Sequence, residues 1–376
     1  MKPETHRHNF AQIDFNLNPF IVIWEVTQAC DLACKHCRAS AKRFSNMYEL
    51  DFKQGKKLLK DISGFGKPLF IITGGDPAKR NDIFKIIESA SEFGLRTAMT
   101  PSATPLITME FIGNCKKSGL QRFAVSLDGS NPEIHDSFRG TAGSYNKTME
   151  IIKWSNELEI GLQINTTVTK FNIDDIEKIV QLISGLNIVM WSVFFLVPVG
   201  RGKIKDEVTA EEYENIFNRL YDLSQNVKFD IKTTAAPHYR RVIMQRKAKE
   251  NAGIYNDFYT SGFGIHFEKD NIGRSMQGVN EGKGFVFISH TGEIYPSGFL
   301  PVSAGNVKTD DIADIYRNHV IFKTIRNYDL LKGKCGVCEF KKFCGGSRAR
   351  AYGVTGDYME SEPYCAYIPK QYSQKT

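Results

Sequence analysis

Three cysteines near the amino end have the spacing of a metal-binding loop. Cys30, Cys34 and Cys37 form a C-x3-C-x2-C pattern directly after an apolar run. Three thiolates on one short loop can bind three irons of a [4Fe-4S] cubane and leave the fourth iron without a protein ligand. A structural zinc site normally has four protein ligands. The isolated trio therefore favours an open iron–sulfur cluster.

A second group of cysteines lies near the carboxyl end. Cys335, Cys338 and Cys344 follow a C-x2-C-x5-C pattern, and Cys365 comes later in the chain. Four thiolates satisfy a metal centre completely. The spacing alone leaves two interpretations open, a second iron–sulfur cluster or a zinc ion. The remaining cysteine, Cys115, stands alone in a predicted helix, and we interpret it as a buried free thiol.

Strand and helix patterns alternate from about residue 20 to residue 225 and must position these cysteines. The strands are predicted at 19–27, 68–73, 95–100, 122–129, 161–169 and 188–199, each followed by a helical pattern. Such alternation implies right-handed crossovers and a parallel sheet. Six repeats fall short of a closed eight-fold barrel. We predict an α/β fold, a partial (β/α)6 TIM-like barrel, with a flat doubly wound sheet as the alternative.

Composition narrows the class of protein. The chain has 376 residues, 41% hydrophobic and 24% charged, with a formal net charge of +7. No apolar run approaches the roughly 20 residues of a membrane span, and the amino end lacks a signal-peptide pattern. The basic run at 238–250 suits a solvated helix face or a binding surface for an acidic substrate. We expect a cytoplasmic protein without nucleic-acid or membrane partners.

Polar motifs follow several predicted strands, where a parallel fold builds its active site. Thr73-Gly74-Gly75-Asp76-Pro77 follows the second strand. Its glycines allow close backbone approach, and Asp76 can accept a hydrogen bond from an ammonium group. Read alone, the motif is a turn. Further candidates follow the next strands: Ser126, Asp128, Arg139 with its bidentate fork, Asn165 in preference to Thr167, and the apolar Val197.

These motifs together resemble the radical S-adenosylmethionine (SAM) superfamily. In that family the amino-acid end of SAM occupies the unique iron, and reductive cleavage gives a 5′-deoxyadenosyl radical that abstracts hydrogen. The resemblance implies a flavodoxin or ferredoxin electron donor, and it makes the three loop cysteines the catalytic cluster ligands. His36, where the family usually has an aromatic residue, is expected to pack or stack. The resemblance implies SAM contacts at Ser126 and Asp128 for the ribose hydroxyls, Arg139 for the carboxylate and Val197 beside the adenine. The other implied SAM contacts are His36, Gly74, Gly75, Asp76 and Asn165.

The carboxyl-terminal region resembles the family's SPASM or twitch extension. A hairpin is predicted at 284–299 and a helix near 310–327, before the second cysteine group. Full SPASM domains have a further cysteine where this chain has Ser297. We therefore predict one saturated auxiliary [4Fe-4S] cluster, on Cys335, Cys338, Cys344 and Cys365. The predicted division is a leader (1–18), the core barrel (19–225), a helical and glycine-rich connector (226–283) and a small α+β iron–sulfur domain (284–376).

The substrate is the least specified feature. The string from Cys344 to Tyr352 resembles the branch that edits tetrapyrrole side chains in the alternative heme and heme d1 routes. A polycarboxylate substrate suits the positive charge, Arg348, Arg350 and the 238–250 run. Two alternatives remain open here. One is a maturase that crosslinks a ribosomally made peptide, and the other is a non-catalytic zinc or iron–sulfur regulator.

Overall fold

The computed structural model describes residues 13–250 and 278–372. Over this part of the chain the strands form one ten-stranded sheet, in the order β10-β9-β8-β1-β2-β3-β4-β5-β6-β7. The strands are β1 (Ile21–Glu25), β2 (Leu69–Thr73), β3 (Arg96–Met99), β4 (Arg122–Ser126), β5 (Gly161–Val168), β6 (Met190–Phe195), β7 (Asp230–Thr234), β8 (Phe285–Ile288), β9 (Glu293–Tyr295) and β10 (Gly305–Asn306).

Helices connect the parallel strands and cover the outside of the sheet. They are α1 (Phe52–Ser63), α2 (Ile83–Glu92), α3 (Met109–Lys117), α4 (Pro132–Arg139), α5 (Ser144–Glu157), α6 (Ile176–Ser184), α7 (Ala210–Ser224), α8 (Tyr239–Glu250), α9 (Ile312–Asn318), α10 (Val320–Arg326), α11 (Gly333–Gly336) and α12 (Arg348–Thr355). None of these described helices is long and apolar enough to cross a membrane.

Strands β1 to β8 are all parallel, and the barrel stays open because β7 and β8 do not pair. The predicted partial barrel is confirmed, with two more parallel strands than the six expected. β7 lies within the predicted connector. Its polar sequence DIKTT lacks the apolar pattern from which the other strands were predicted. β8 is the first strand of the predicted hairpin and pairs with β1. The glycine-rich stretch 251–277 lies outside the described residues.

The period-2 pattern of β1 explains how the sheet separates core from cavity. Val22 and Trp24 are fully buried on the helix side, and a Cβ at Gly55 of α1 would lie 2.5 Å from the Trp24 ring. Ile21 and Ile23 face the other side and line a cavity.

The predicted helix near 310–327 is two helices, because His319 has extended backbone and caps α10.

Arg350 joins the carboxyl-terminal region to the barrel. This fully buried side chain donates to the carbonyl oxygens of Ala235 at 2.7 Å and Leu196 at 2.9 Å. It also lies 3.3 Å from carboxylate oxygens of Glu207 and Glu362. The expectation that Arg350 meets an acidic substrate is therefore wrong, because two buried carboxylates already neutralise it.

Replacing this arginine with methionine should destabilise the protein strongly. Arg350→Met leaves two buried carboxylates without their cation, which typically costs about 3–5 kcal/mol. Urea unfolding under anaerobic conditions measures the loss. Arg219→Met is the matched control, because its pair with Glu177 is exposed, and it should cost less than about 1 kcal/mol. Equal losses in the two variants would contradict the role given to Arg350.

Candidate functional site

A cavity of about 510 Å³ fills the inside of the barrel. Alternate residues of the strands face it, such as Ser126 on β4 and Asn165 on β5. The three cysteines of the amino-terminal loop line the same cavity. This places the loop at the carboxyl ends of the parallel strands, where such folds concentrate their chemistry.

Each sulfur of the loop accepts a hydrogen bond from nitrogen. The Leu32 amide lies 3.4 Å from Cys30 Sγ, and the Ala41 amide lies 3.4 Å from Cys37 Sγ. Arg139 Nη1 lies 3.7 Å from Cys34 Sγ. Hydrogen bonds to the sulfurs stabilise cluster thiolates and tune their potential. The donor set therefore fits an iron–sulfur cluster held by Cys30, Cys34 and Cys37.

A single ion and a cluster require different distances between their thiolate ligands. Zinc binds sulfur at about 2.3 Å, which brings its ligands within about 4 Å of one another. Across residues 13–250 and 278–372, no group of three or more His, Cys, Asp or Glu side chains is placed to hold one metal ion. A cubane is a larger body whose thiolates lie farther apart.

Two glycines allow neighbouring loops to pack against the cysteine loop. A Cβ at Gly75 would lie 2.3 Å from the carbonyl oxygen of Ala29. Gly200 has φ +61°, and a Cβ there would lie 2.3 Å from the Arg38 oxygen and 2.4 Å from the Cys37 oxygen. Side chains at these positions would displace the loop that carries the cluster ligands. Gly75 thus acts by close packing on the loop, which the sequence alone did not indicate.

Gly200→Ala should lower the cluster content of the protein. Both the positive φ and the contact with Cys37 oppose a side chain there, and the backbone strain alone costs about 1 kcal/mol. Iron per chain and the absorbance near 400 nm, typical of such clusters, measure the loss. Gly143→Ala is the control, because Gly143 has φ +82° with open space around its Cβ position. If both variants lose iron equally, the contact with the loop is not the cause.

Asp76 lies behind the cavity wall and is fully buried. Its carboxylate accepts from the Thr104 hydroxyl at 2.7 Å, the Ser102 amide at 3.3 Å and the Ala78 amide at 3.2 Å. Burial raises its pKa to about 6, although these hydrogen bonds oppose the rise. In this arrangement Asp76 anchors the segment after β3, and Gly74 and Gly75 form the cavity surface in front of it.

Asp128 is likewise buried and pairs with Arg139. Its other oxygen accepts from the Thr167 amide at 2.6 Å. Burial would raise the pKa of Asp128, but Arg139, and then His36, hold it below its ordinary value. Asp128 therefore orients Arg139, whose guanidinium reaches the cavity. The contact of Asp128 with a ribose stays a prediction.

The other predicted SAM contacts face the cavity. The His36 ring stacks on Phe138, with ring centroids 4.3 Å apart and planes 7° from parallel, as expected for a packing residue. Asn165 accepts from Gln163 at 2.7 Å and lies beside Ser126 in register. Val197 ends the wall formed by β6. The structure thus gathers ten predicted residues around one cavity: Cys30, Cys34, His36, Cys37, Gly74, Gly75, Ser126, Arg139, Asn165 and Val197.

The carboxyl-terminal cysteines form a separate site. The Glu362 amide lies 3.3 Å from Cys335 Sγ, and the Gly346 amide lies 3.4 Å from Cys344 Sγ. Burial raises the pKa of the Cys344 thiol, and the nearby Cys365 and Cys335 raise it further. The fold therefore brings Cys365 back beside the earlier cysteines. Cys115, by contrast, is fully buried in α3, as expected for a free thiol.

Sequence reasoning missed three polar residues at the cavity. The Ser102 hydroxyl lies 3.2 Å from Cys30 Sγ and donates to the Gly75 oxygen at 2.7 Å. Arg38, next to Cys37, pairs with the buried Glu25 at 2.5 Å. Arg201 lines the cavity after β6. Ser102 and Arg201 each follow a strand end, which is the signal that marked the other candidates.

The open parallel barrel and its three-cysteine loop define a radical SAM enzyme. The Radical SAM superfamily model matches residues 24–183. The AdoMet-dependent heme synthase of Methanosarcina barkeri is 40% identical over 351 residues, which cover 93% of this chain and 97% of that protein. Its counterpart from Nitratidesulfovibrio vulgaris is 40% identical, covering 93% of each chain. This chain belongs to the radical SAM superfamily, in the group that contains these heme synthases.

More distant proteins support the same fold. Pre-heme d1 synthase of Dinoroseobacter shibae is 24% identical and covers 92% of this chain and 85% of that protein. Streptococcus suis SuiB, solved with S-adenosylmethionine, superposes with a TM-score of 0.68 at 18% identity over 93% of this chain and 78% of that chain. The prediction of an enzyme with a [4Fe-4S] cluster and SAM is confirmed, and the interpretation as a non-catalytic regulator is set aside.

Proposed function

We propose that this enzyme converts propionate side chains of an iron tetrapyrrole into vinyl groups and so forms heme. The observation that carries this proposal is the 40% identity to AdoMet-dependent heme synthases over nearly the whole chain. Peptide-modifying relatives such as the PqqA peptide cyclase of Bradyrhizobium diazoefficiens match at 24%. The lower identity makes a peptide substrate the weaker alternative.

The cavity supports a substrate that carries carboxylates. Its volume falls within the range of small-molecule sites. Arginines line it, and two of them, Arg201 and Arg240, have no carboxylate partner among the described residues. Aromatic rings such as Phe194 and Phe287 add flat apolar surface. The two kinds of side chain match an aromatic macrocycle with acidic arms.

The residues around the cavity have distinct parts in this proposal. When bound, the reduced cluster supplies the electron that cleaves SAM to methionine and a 5′-deoxyadenosyl radical. Cys30, Cys34 and Cys37 hold that cluster, and Ser126, Arg139 and Asn165 face the space available to SAM. The surrounding strands bury the reacting atoms and so keep water from quenching a radical.

The balance of electrons requires an acceptor for one electron. Turning a propionate into a vinyl group removes one hydrogen atom, one CO2 and one electron. We assign the electron to an auxiliary [4Fe-4S] cluster on Cys335, Cys338, Cys344 and Cys365, acting as a relay. A flavodoxin or ferredoxin in the cytoplasm supplies the first electron in this proposal, and eight free cysteines suit that reducing compartment.

The direct test uses anaerobically reconstituted enzyme, SAM, dithionite and Fe-coproporphyrin III, which differs from heme by two propionates in place of two vinyl groups. We expect heme by mass spectrometry and one 5′-deoxyadenosine for each carboxylate lost. SAM cleavage that leaves the porphyrin unchanged would overturn the tetrapyrrole assignment. Iron and sulfide near eight each per chain would support two cubanes, whereas zinc would contradict the auxiliary cluster.

A further inference from the structure

An arginine beside the cysteine loop faces the cavity with part of its guanidinium unpaired. The backbone amide of Arg201 donates to the Cys37 carbonyl oxygen at 3.0 Å, which fixes Arg201 to the loop. Its Nε and Nη2 atoms are buried and have no hydrogen-bond acceptor among the described residues. Arginine stays protonated in proteins, and a buried charge without a partner is costly. These two donors are therefore available to an anion that enters the cavity.

Three other arginines at the cavity have partners within the protein. Arg38 pairs with Glu25 at 2.5 Å, and Arg139 pairs with Asp128. Arg240 donates to the Val279 oxygen at 2.5 Å and the Phe343 oxygen at 3.2 Å. Arg201 differs from them because two of its three guanidinium nitrogens, Nε and Nη2, have no acceptor among the described residues.

The surroundings of Arg201 specify the charge and shape of that ligand. Arg139 and Arg201 both lie near the buried His36 of the loop, and Asp128 is already engaged by Arg139. The carboxylate of Asp128 is thus not available to Arg201. A planar guanidinium offers two parallel N–H donors, which match the two oxygens of a carboxylate.

We propose that Arg201 binds a carboxylate of a ligand in the cavity, next to Cys37. Two ligands of this enzyme carry that group: SAM through its methionyl end, and the tetrapyrrole through a propionate. The second possibility rests on the proposed function, whereas the first needs only the radical SAM family. Either way Arg201 acts as a binding residue and takes no electron or proton.

Binding measurements on the anaerobic, cluster-loaded protein test the inference. Equilibrium dialysis reports SAM affinity, and a titration of the Soret band reports Fe-coproporphyrin III affinity. Arg201→Gln should weaken binding of one of these ligands roughly ten- to hundred-fold, as for loss of a charged hydrogen-bond pair. The affinity of Arg201→Lys should lie between those of the wild-type protein and the Gln variant. Lysine keeps the charge but lacks the two parallel N–H donors of arginine. Lys203→Gln is the control, because Lys203 is exposed in the same loop, and it should bind both ligands normally.

Ligand analogues that lack the carboxylate show whether Arg201 binds the carboxylate of SAM or that of the tetrapyrrole. Decarboxylated SAM and the tetramethyl ester of Fe-coproporphyrin III should bind wild-type enzyme more weakly than their parents. The Gln variant should show a smaller preference for whichever acid Arg201 binds. For SAM, the bond between the carboxylate and the unique iron should preserve part of the preference in both proteins. If the cluster content of the Gln variant falls, the same binding measurements are made on the Lys variant. Unchanged affinities and preferences in both variants would overturn the proposal. A reduced SAM preference in the Gln variant, without any heme formation by the wild-type enzyme, would overturn the tetrapyrrole function and leave the assignment of Arg201 standing.

Discussion

Cys34→Ala should abolish release of 5′-deoxyadenosine, with a loss of more than about a thousand-fold in SAM cleavage. Two thiolates cannot hold three irons, so the site with the vacant iron is lost. The structure adds a reason to choose this cysteine, because its sulfur also accepts from Arg139. Chromatography of dithionite-driven reactions measures the nucleoside, and the iron content should fall by about half.

Cys115→Ala is the matched control for this experiment. It removes a fully buried thiol on α3, and Cys115 belongs to neither cysteine group. We expect a modest loss of stability and full SAM cleavage in this variant. Normal nucleoside release from Cys34→Ala would overturn the assignment of the loop.

Cys338→Ala should separate SAM cleavage from product formation. The amino-terminal loop and its cavity are unchanged, so 5′-deoxyadenosine should still be released at a reduced but measurable rate. Product should fall at least about a hundred-fold if the auxiliary cluster accepts the electron that decarboxylation leaves behind. Mass spectrometry of the porphyrin and electron paramagnetic resonance of the reduced protein give independent measurements.

A purely structural auxiliary site predicts a different result. In that case the variant loses stability, and both SAM cleavage and product fall together. Lys342→Ala is a control in the same region, because Lys342 is exposed near Cys344, and it should leave both yields unchanged. Parallel loss of nucleoside and product in Cys338→Ala would contradict the relay role.

Local patterns predicted the features that depend on nearby residues. The spacing of Cys30, Cys34 and Cys37 identifies the cluster loop, because a short loop fixes the distance between its thiols. Apolar runs identified β1 to β6, since strands covered on one side by helices bury their side chains. The turn at 290–292 likewise predicted the hairpin of β8 and β9.

Features set by partners distant in sequence were not predictable in this way. Asp128 and Asp76 follow strand ends, where carboxylates commonly bind ligands. In the structure Asp128 instead pairs with Arg139, and Asp76 accepts a hydrogen bond from Thr104. Arg350 follows a cysteine motif, yet its partners Glu207 and Leu196 lie far away in the sequence. Ion pairing of this kind depends on the assembled fold, because burial decides which charges must meet.

The pairing of β8 with β1 has a consequence for how the enzyme is made. Ile21 at the start of the first strand lies opposite Phe285, so one side of that strand has no neighbour until most of the chain has left the ribosome. Contacts between residues so distant in sequence form slowly. We therefore expect a protein truncated before β8 to retain less of the cluster than the full chain does, because one edge of β1 then stays unpaired.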